Sequence, residues 1–374
     1  MRGLSGRRIL LGLAAPVGAL ITSLVITTLV LLVTGHNPWT AFDAMFSAFG
    51  RVEIIVGSVN LAFTYYLAAV AVAIGFKMNL FNIGVDGQYR LAAMLAAAFA
   101  GAAFMSSLPG FLRVLMTLVV AMLVGAIWAG IAGWLKVTRG VSEVITTIML
   151  NAIATAVIAY LIQPSKLGVL TGNNVGTPVI TEGGQVPTIN IPINGGASTV
   201  PLYTMGLLSI VVGILYWLLL SRTVFGFSLR ATGLSETAAV ASGVNVKRMV
   251  MYTMLISGAV AGLTGMPELL NGLSANYSLN FPTGIGFTGI AIALLGRNSP
   301  VGIAFAALLW AFLDNSSNSL QGVNVPKELV TIMQGVIVFS VVIAYELVRR
   351  YRIVLEQRDV ARALSVSKPA EVAA

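Results

Sequence analysis

The feature that most constrains this chain is a series of long stretches with no charged residue. Eight of them span 9–33, 54–76, 91–105, 114–135, 144–162, 202–220, 250–266 and 329–345. A helix rises 1.5 Å per residue and a bilayer core is about 30 Å thick, so stretches near 20 residues are the length of a membrane crossing. Between 266 and 329 lie two shorter apolar pieces, 285–296 and 301–313, separated by Arg297, Asn298, Ser299 and Pro300. Asn-Ser-Pro between apolar runs reads as a tight hairpin or a pair of broken helices. The expectation is an all-α polytopic membrane protein of about ten transmembrane helices, with broken helices in its second half.

The distribution of positive charge tests that count, because a wrong number of crossings scrambles the alternation of sides. With the N-terminus inside, 18 of the 22 Lys and Arg residues fall on the cytoplasmic side, Lys77, Arg90, Arg230 and Arg297 among them. Only Arg51, Arg113, Lys166 and Lys327 fall outside. Ten crossings with both ends cytoplasmic fit best. The basic flank before 9–33 resembles that of a signal peptide, but the stretch is too long for an h-region and reads as a retained first span. Residues 1–348 then form a single transmembrane domain, with an external loop at 163–200, a cytoplasmic loop at 221–249 and a basic cytoplasmic tail at 349–374.

Composition removes other classes. Only 9% of the 374 residues are charged and 57% are hydrophobic, with mean hydropathy +0.92. A soluble domain carries about 25% charge. Soluble enzymes and nucleic-acid binders are therefore excluded despite the net charge of +9. Membrane lipid is the expected surroundings. Cysteine is absent and His36 is the only histidine, so no disulfide framework, thiolate nucleophile or Cys/His metal site can be built. No Gly-Lys pair occurs, hence no phosphate-cradling loop. If ATP drives this chain, another subunit hydrolyses it.

Polar residues inside apolar sequence are the candidates for a pathway. The segment 75–90 carries three glycines, Asn79, Asn82, Asp86, Gln88 and Arg90. A carboxylate at the bilayer centre costs about 2.5–3.5 kcal/mol on insertion scales, so Asp86 needs an interface, a wet cavity or a partner. Arg90, four residues on, can pair with it on one helix face. Two readings stand: a tight cytoplasmic turn, or unwound backbone that lines a conduit or braces its gate. Asn60, Tyr65 and Tyr66 in the second span, Asn151 in the fifth, Asn271 and Gln334 either line the pathway or tie helices together. The tentative pathway set is Asn60, Tyr65, Asn82, Asp86, Gln88 and Asn151. Gly258 and Gly262 form a small-xxx-small pair, as do Gly125 and Ala129, which marks close helix crossings. A weak echo between 81–84, Phe-Asn-Ile-Gly, and 281–284, Phe-Pro-Thr-Gly, is consistent with inverted halves.

The loop 222–249 is the most informative stretch. Ser235 is a good N-cap, Glu236 suits the first turn of an Ala-rich helix, and Gly243 stops it. Ala238, Ala239, Ala241 and Ser242 offer a small face able to lie against a partner. The alternative is a solvated connector. The external loop 163–200 is rich in Gly, Pro, Asn and Thr and reads as short strands or a small cap.

At 229–245 the sequence LRATGLSETAAVASGVN resembles the coupling segment of ABC importer permeases of the branch serving nucleosides, simple sugars and branched-chain amino acids. FNIGVDGQ at 81–88, GVSEVITTIMLN at 140–151 and GFTGIAIALLGRNSPVG at 286–302 resemble the same branch. Four matches in order cover most of the chain. Length and the external loop look most like the first permease of nucleoside importers, which pairs with a shorter second permease. The resemblance implies a bacterial inner-membrane transport subunit that is not an enzyme. It implies an ATPase partner carrying ATP and Mg, and a periplasmic or lipoprotein binding protein. It places Gly233, Ser235, Glu236, Ala238, Ala239 and Gly243 in the segment that docks on the ATPase. Leu234-Ser235-Glu236-Thr237 stands where that segment often has Asn-Pro.

Three other classes fit these residues less well. An ion-coupled secondary transporter usually needs titratable groups within the membrane, and Asp86, Glu268 and Asp314 all fall near expected span ends. A channel or scaffold has no clear use for a helical docking loop. A membrane hydrolase lacks its constellation of reactive groups. The sequence leaves monosaccharides and branched-chain amino acids open beside nucleosides.

Overall fold

The computed structural model describes residues 18, 21–171, 174–271 and 275–366. The basic flank at 1–8, the first half of the 9–33 span and the end of the 349–374 tail lie outside the described residues. The chain divides into two units, Ser47–Ser316 and a second made of Met1–Phe46 with Ser317–Ala374.

The larger unit contains α3 (Val52–Phe76), α4 (Val85–Ala100), α5 (Gly110–Arg139), α6 (Glu143–Leu161), α7 (Leu207–Arg222), α8 (Val224–Leu234), α9 (Glu236–Ala241), α10 (Val246–Leu263), α11 (Met266–Leu270), α12 (Ile285–Leu295) and most of α13 (Pro300–Leu320). The smaller unit contains α1 (Ile21–Val33), α2 (Pro38–Ser47) except its last residue, and α14 (Glu328–Val366). Helix α14 runs on well past 348, where the sequence suggests a separate tail.

Six stretches among the described residues are helical, long and apolar enough to cross a membrane: Val52–Phe76, Gly110–Arg139, Glu143–Leu161, Thr204–Arg222, Val246–Leu270 and Glu328–Val348. The other four of the expected ten are short or polar. Ile21–Val33 and Ile285–Leu295 are apolar but short. Helix α4 has 16 residues and contains Asp86 and Arg90, and α13 ends in the polar run 314–319. The third span also shifts, from 91–105 to α4 at Val85–Ala100, because the helix resumes immediately after Gly84.

Helices α5 and α10 make the closest crossing. A Cβ on Gly258 would overlap the carbonyl oxygen of Gly125 and the methyl of Ala129, and one on Gly262 would overlap the carbonyl of Ala121. The two small-residue pairs read from the sequence therefore fit against each other. With lipid tails as apolar as leucine, such close backbone packing replaces hydrophobic driving force.

The loop 163–203 forms two antiparallel hairpins, β1 (Val169–Thr171) with β2 (Asn174–Gly176) and β3 (Ile189–Ile193) with β4 (Ser198–Leu202). Its backbone is stitched to the end of α11 and the stretch after it: Thr177 N–H donates to Tyr277 O at 2.8 Å, Ile180 to Ala275 at 2.7 Å and Val186 to Leu270 at 2.7 Å. The expected short strands are present.

Candidate functional site

Two places in the larger unit gather the residues singled out by sequence. The first is where α4 and α12 begin. After α3 the backbone turns at 77–80 and doubles back, so that Asn82 reaches Ser257 on α10, whose hydroxyl donates to Ala71 O on α3 at 2.6 Å. Asn82 and Gln88 exchange a reciprocal pair of amide hydrogen bonds at 2.8 and 3.0 Å, and Asn82 Oδ1 also accepts from Gly84 N–H. Both side chains are fully buried. Asn151 on α6 clamps the same segment, donating to Ile83 O at 2.9 Å and accepting from Gly87 N–H at 2.8 Å. An unwound backbone at membrane depth has to find such partners, because no water satisfies it there.

The glycines of the 81–84 and 281–284 echo hold corresponding places at helix starts. Gly84 is the N-cap of α4 and Gly284 the N-cap of α12. The two helix starts meet: Gly286 N–H donates to Asp86 Oδ1 at 3.2 Å, Gly284 N–H also bonds this carboxylate, and Arg90 lies 3.8 Å from Asp86 Oδ2. The partner that Asp86 requires is thus a helix N-terminus plus Arg90, an arrangement that favours a carboxylate.

The remaining pathway candidates are also engaged. Asn60 donates to Pro201 O and accepts from Tyr203 N–H, both at 2.8 Å, which ties α3 to the end of β4. Tyr65 donates to Asp314 Oδ2 at 2.5 Å. Asp314 therefore lies inside α13, and its partner is an α3 residue 249 positions away that sequence alone could not supply. Among the six tentative residues, Asn60, Asn82, Gln88 and Asn151 have both ends of their amide groups in bonds within the chain.

Arg90 reaches across to α6. It donates to Thr155 Oγ1 on α6 at 3.1 Å. Thr155 is twelve residues beyond Glu143, the start of α6, or about 18 Å along the helix. Arg90 therefore lies beside the middle of α6, because the doubled-back segment starts α4 partway along its neighbours.

The second place is the loop 222–249, which forms two helices where one was expected. Thr223 caps α8 by accepting from Gly226 N–H at 2.9 Å. Ser235 caps α9 by accepting from Ala238 N–H at 3.3 Å, and Glu236 stands in the first turn. Gly243 (φ +81°) ends it, with Val244 N–H donating back to Ala239 O at 3.0 Å. The small face splits, since Ala239 is turned inward at 1% exposure while Ala238, Ala241 and Ser242 are exposed. Sequence reasoning missed the apolar outer face: Leu234 is 90% exposed and Val240 60%. Helices α8, α9 and the start of α10 enclose a groove of about 700 Å³. Gly233 does a different job from Ser235, because a Cβ there would overlap Lys77 O, so α8 rests directly on the turn between α3 and α4. Burial, then the positive charges of Arg230 and Arg297, lower the Lys77 ammonium from its ordinary value. A dense basic patch lies at this end of the bundle.

Residues 54–342 match the family described as branched-chain amino acid transport system / permease component. The chain belongs to that family. It is accordingly a transport component and not an enzyme. The permease is 33% identical over 336 residues to the guanosine ABC transporter permease NupP of Bacillus subtilis, covering 89% of this chain and 94% of that one. It is 30% identical to the nucleoside ABC transporter permease NupB of Lactococcus lactis subsp. cremoris, covering 88% and 90%. It is 31% identical to the glucose ABC transporter permease TsgB13 of Haloferax volcanii, covering 89% and 87%.

Proposed function

We propose that this permease forms one wall of the conduit of an ATP-driven nucleoside importer in a bacterial cytoplasmic membrane. The observation that carries the substrate is the likeness to two nucleoside permeases along nearly the whole of each chain. The chain crosses ten times with both ends in the cytoplasm, supported by the basic residues gathered at the inner ends of the spans. In this reading α8 and α9 face the cytoplasm and plug into an ATPase subunit, which holds ATP and magnesium. Closure of two ATPases pushes α8 against the turn at Lys77 and Met78, and through it the buried junction of α4 and α12. A second, shorter permease completes the conduit, and a periplasmic or lipoprotein binding protein delivers the solute.

The chemistry of the interior agrees with a neutral solute. The buried carboxylate of Asp86 is balanced by Arg90, and no cluster of buried cations exists among the described residues to hold a phosphate. Uptake of radiolabelled guanosine by cells carrying the whole system should therefore be inhibited by other nucleosides and not by nucleotides, ribose or leucine. Inhibition by ribose or leucine with none by nucleosides would replace this substrate and leave the importer standing.

A further inference from the structure

Arg90 is a charged side chain placed well inside the helix bundle. It lies about 18 Å along α6 from Glu143, where an arginine costs about 2.5–3.5 kcal/mol on insertion scales if it meets lipid. Its charge is only partly compensated within the chain. Asp86 lies 3.8 Å away and shares its carboxylate with the N–H groups that start α12. Thr155 accepts one hydrogen bond and Tyr277 another. The Nε atom is buried and donates to no group among the described residues. A guanidinium carries five N–H donors, and among the described residues it meets Asp86, Thr155 and Tyr277. The side chain retains 16% of its surface, and the neighbouring Thr155 is exposed on α6. An intramembrane cation with part of its fork open belongs on a wet face.

We propose that Arg90, with Thr155 beside it, is a solute-binding station on the conduit, which makes the open face of α6 a conduit wall. The proposal rests on the importer reading and adds the contact that selects the solute. A guanidinium is a planar fork of donors, and its best neutral partner is a flat ring with two adjacent acceptors. A 6-oxopurine nucleoside offers such a pair, a carbonyl oxygen and a ring nitrogen, whereas adenosine replaces the carbonyl with an amino donor.

The test uses the complete importer reconstituted in vesicles. Arg90→Lys keeps the charge that balances Asp86 but loses the fork. The KM for guanosine should rise about tenfold, within the 1–3 kcal/mol that such a bidentate pair contributes, while the KM for adenosine changes much less. Equal changes for both, or no change, overturn the proposal, since a brace for Asp86 alone would not discriminate between solutes. A second variant does not depend on Arg90 folding. Thr155→Cys, in a chain with no native cysteine, should react with a water-soluble methanethiosulfonate, and guanosine should slow the reaction. A thiol that stays unreactive, or one that guanosine does not protect, overturns it too. Failure of the unmodified importer to take up any nucleoside would instead strike at the proposed function, and the reactivity of the thiol at 155 would still show whether this face is wet.

Discussion

Gly258→Leu is expected to leave almost no correctly folded protein in the membrane. The position where its Cβ would stand is already occupied by the backbone carbonyl of Gly125 and the methyl of Ala129. Overpacking a fitted core costs about 1–3 kcal/mol when side chains can move aside. Here the obstacle is backbone of α5, so the two helices must separate, and with them the lock between Gly262 and Ala121. The change therefore removes contacts along several turns. Size-exclusion chromatography of a fluorescent fusion in mild detergent checks this: the monodisperse peak should nearly vanish for Gly258→Leu and survive for Gly335→Leu, since a Cβ on Gly335 meets nothing within 4 Å. A normal peak for Gly258→Leu would mean that the crossing of α5 and α10 is looser than described.

The second large effect belongs to the outer face of α8 and α9. Val240→Arg and Leu234→Arg should lower both uptake and solute-stimulated ATP hydrolysis more than tenfold while the protein folds normally. Both side chains are largely exposed, and substitutions at such positions usually change stability by no more than about 0.5 kcal/mol. An apolar anchor at the centre of an interface contributes about 2 kcal/mol or more, which is the size of the expected loss. Ala239→Arg is a poorer test than its place on the Ala-rich face suggests. Ala239 is buried within the chain, so arginine there damages the loop itself. Unchanged uptake by the Val240 and Leu234 variants would remove the docking role from this face.

Much of this was legible in the sequence because it rests on local rules. The capping of α9 by Ser235, its termination at Gly243 and the crossing at Gly258 and Gly262 each follow from residue type and spacing over a few positions. The pairing of Asp86 with Arg90 follows from their i,i+4 spacing. The level at which α4 starts is not legible. Hydropathy counts charges and apolar runs, and it cannot register that 81–84 doubles back before α4 starts, which sets Arg90 beside the middle of α6. The same limit hides α13, whose last turns carry the polar run 314–319. Nor does residue type say where a buried amide points. Asn60, Asn82, Gln88 and Asn151 stand out in sequence as polar groups in apolar runs, and only the structure shows the backbone and amide partners they bond to.

The most direct measurement is solute accumulation by the purified complex in proteoliposomes, with the binding protein outside and ATP sealed inside with the ATPase. Radiolabelled guanosine should accumulate only when ATP and magnesium are present, and a protonophore should not prevent it. Accumulation that proceeds without ATP and collapses with the protonophore would make the chain an ion-coupled carrier and contradict the account.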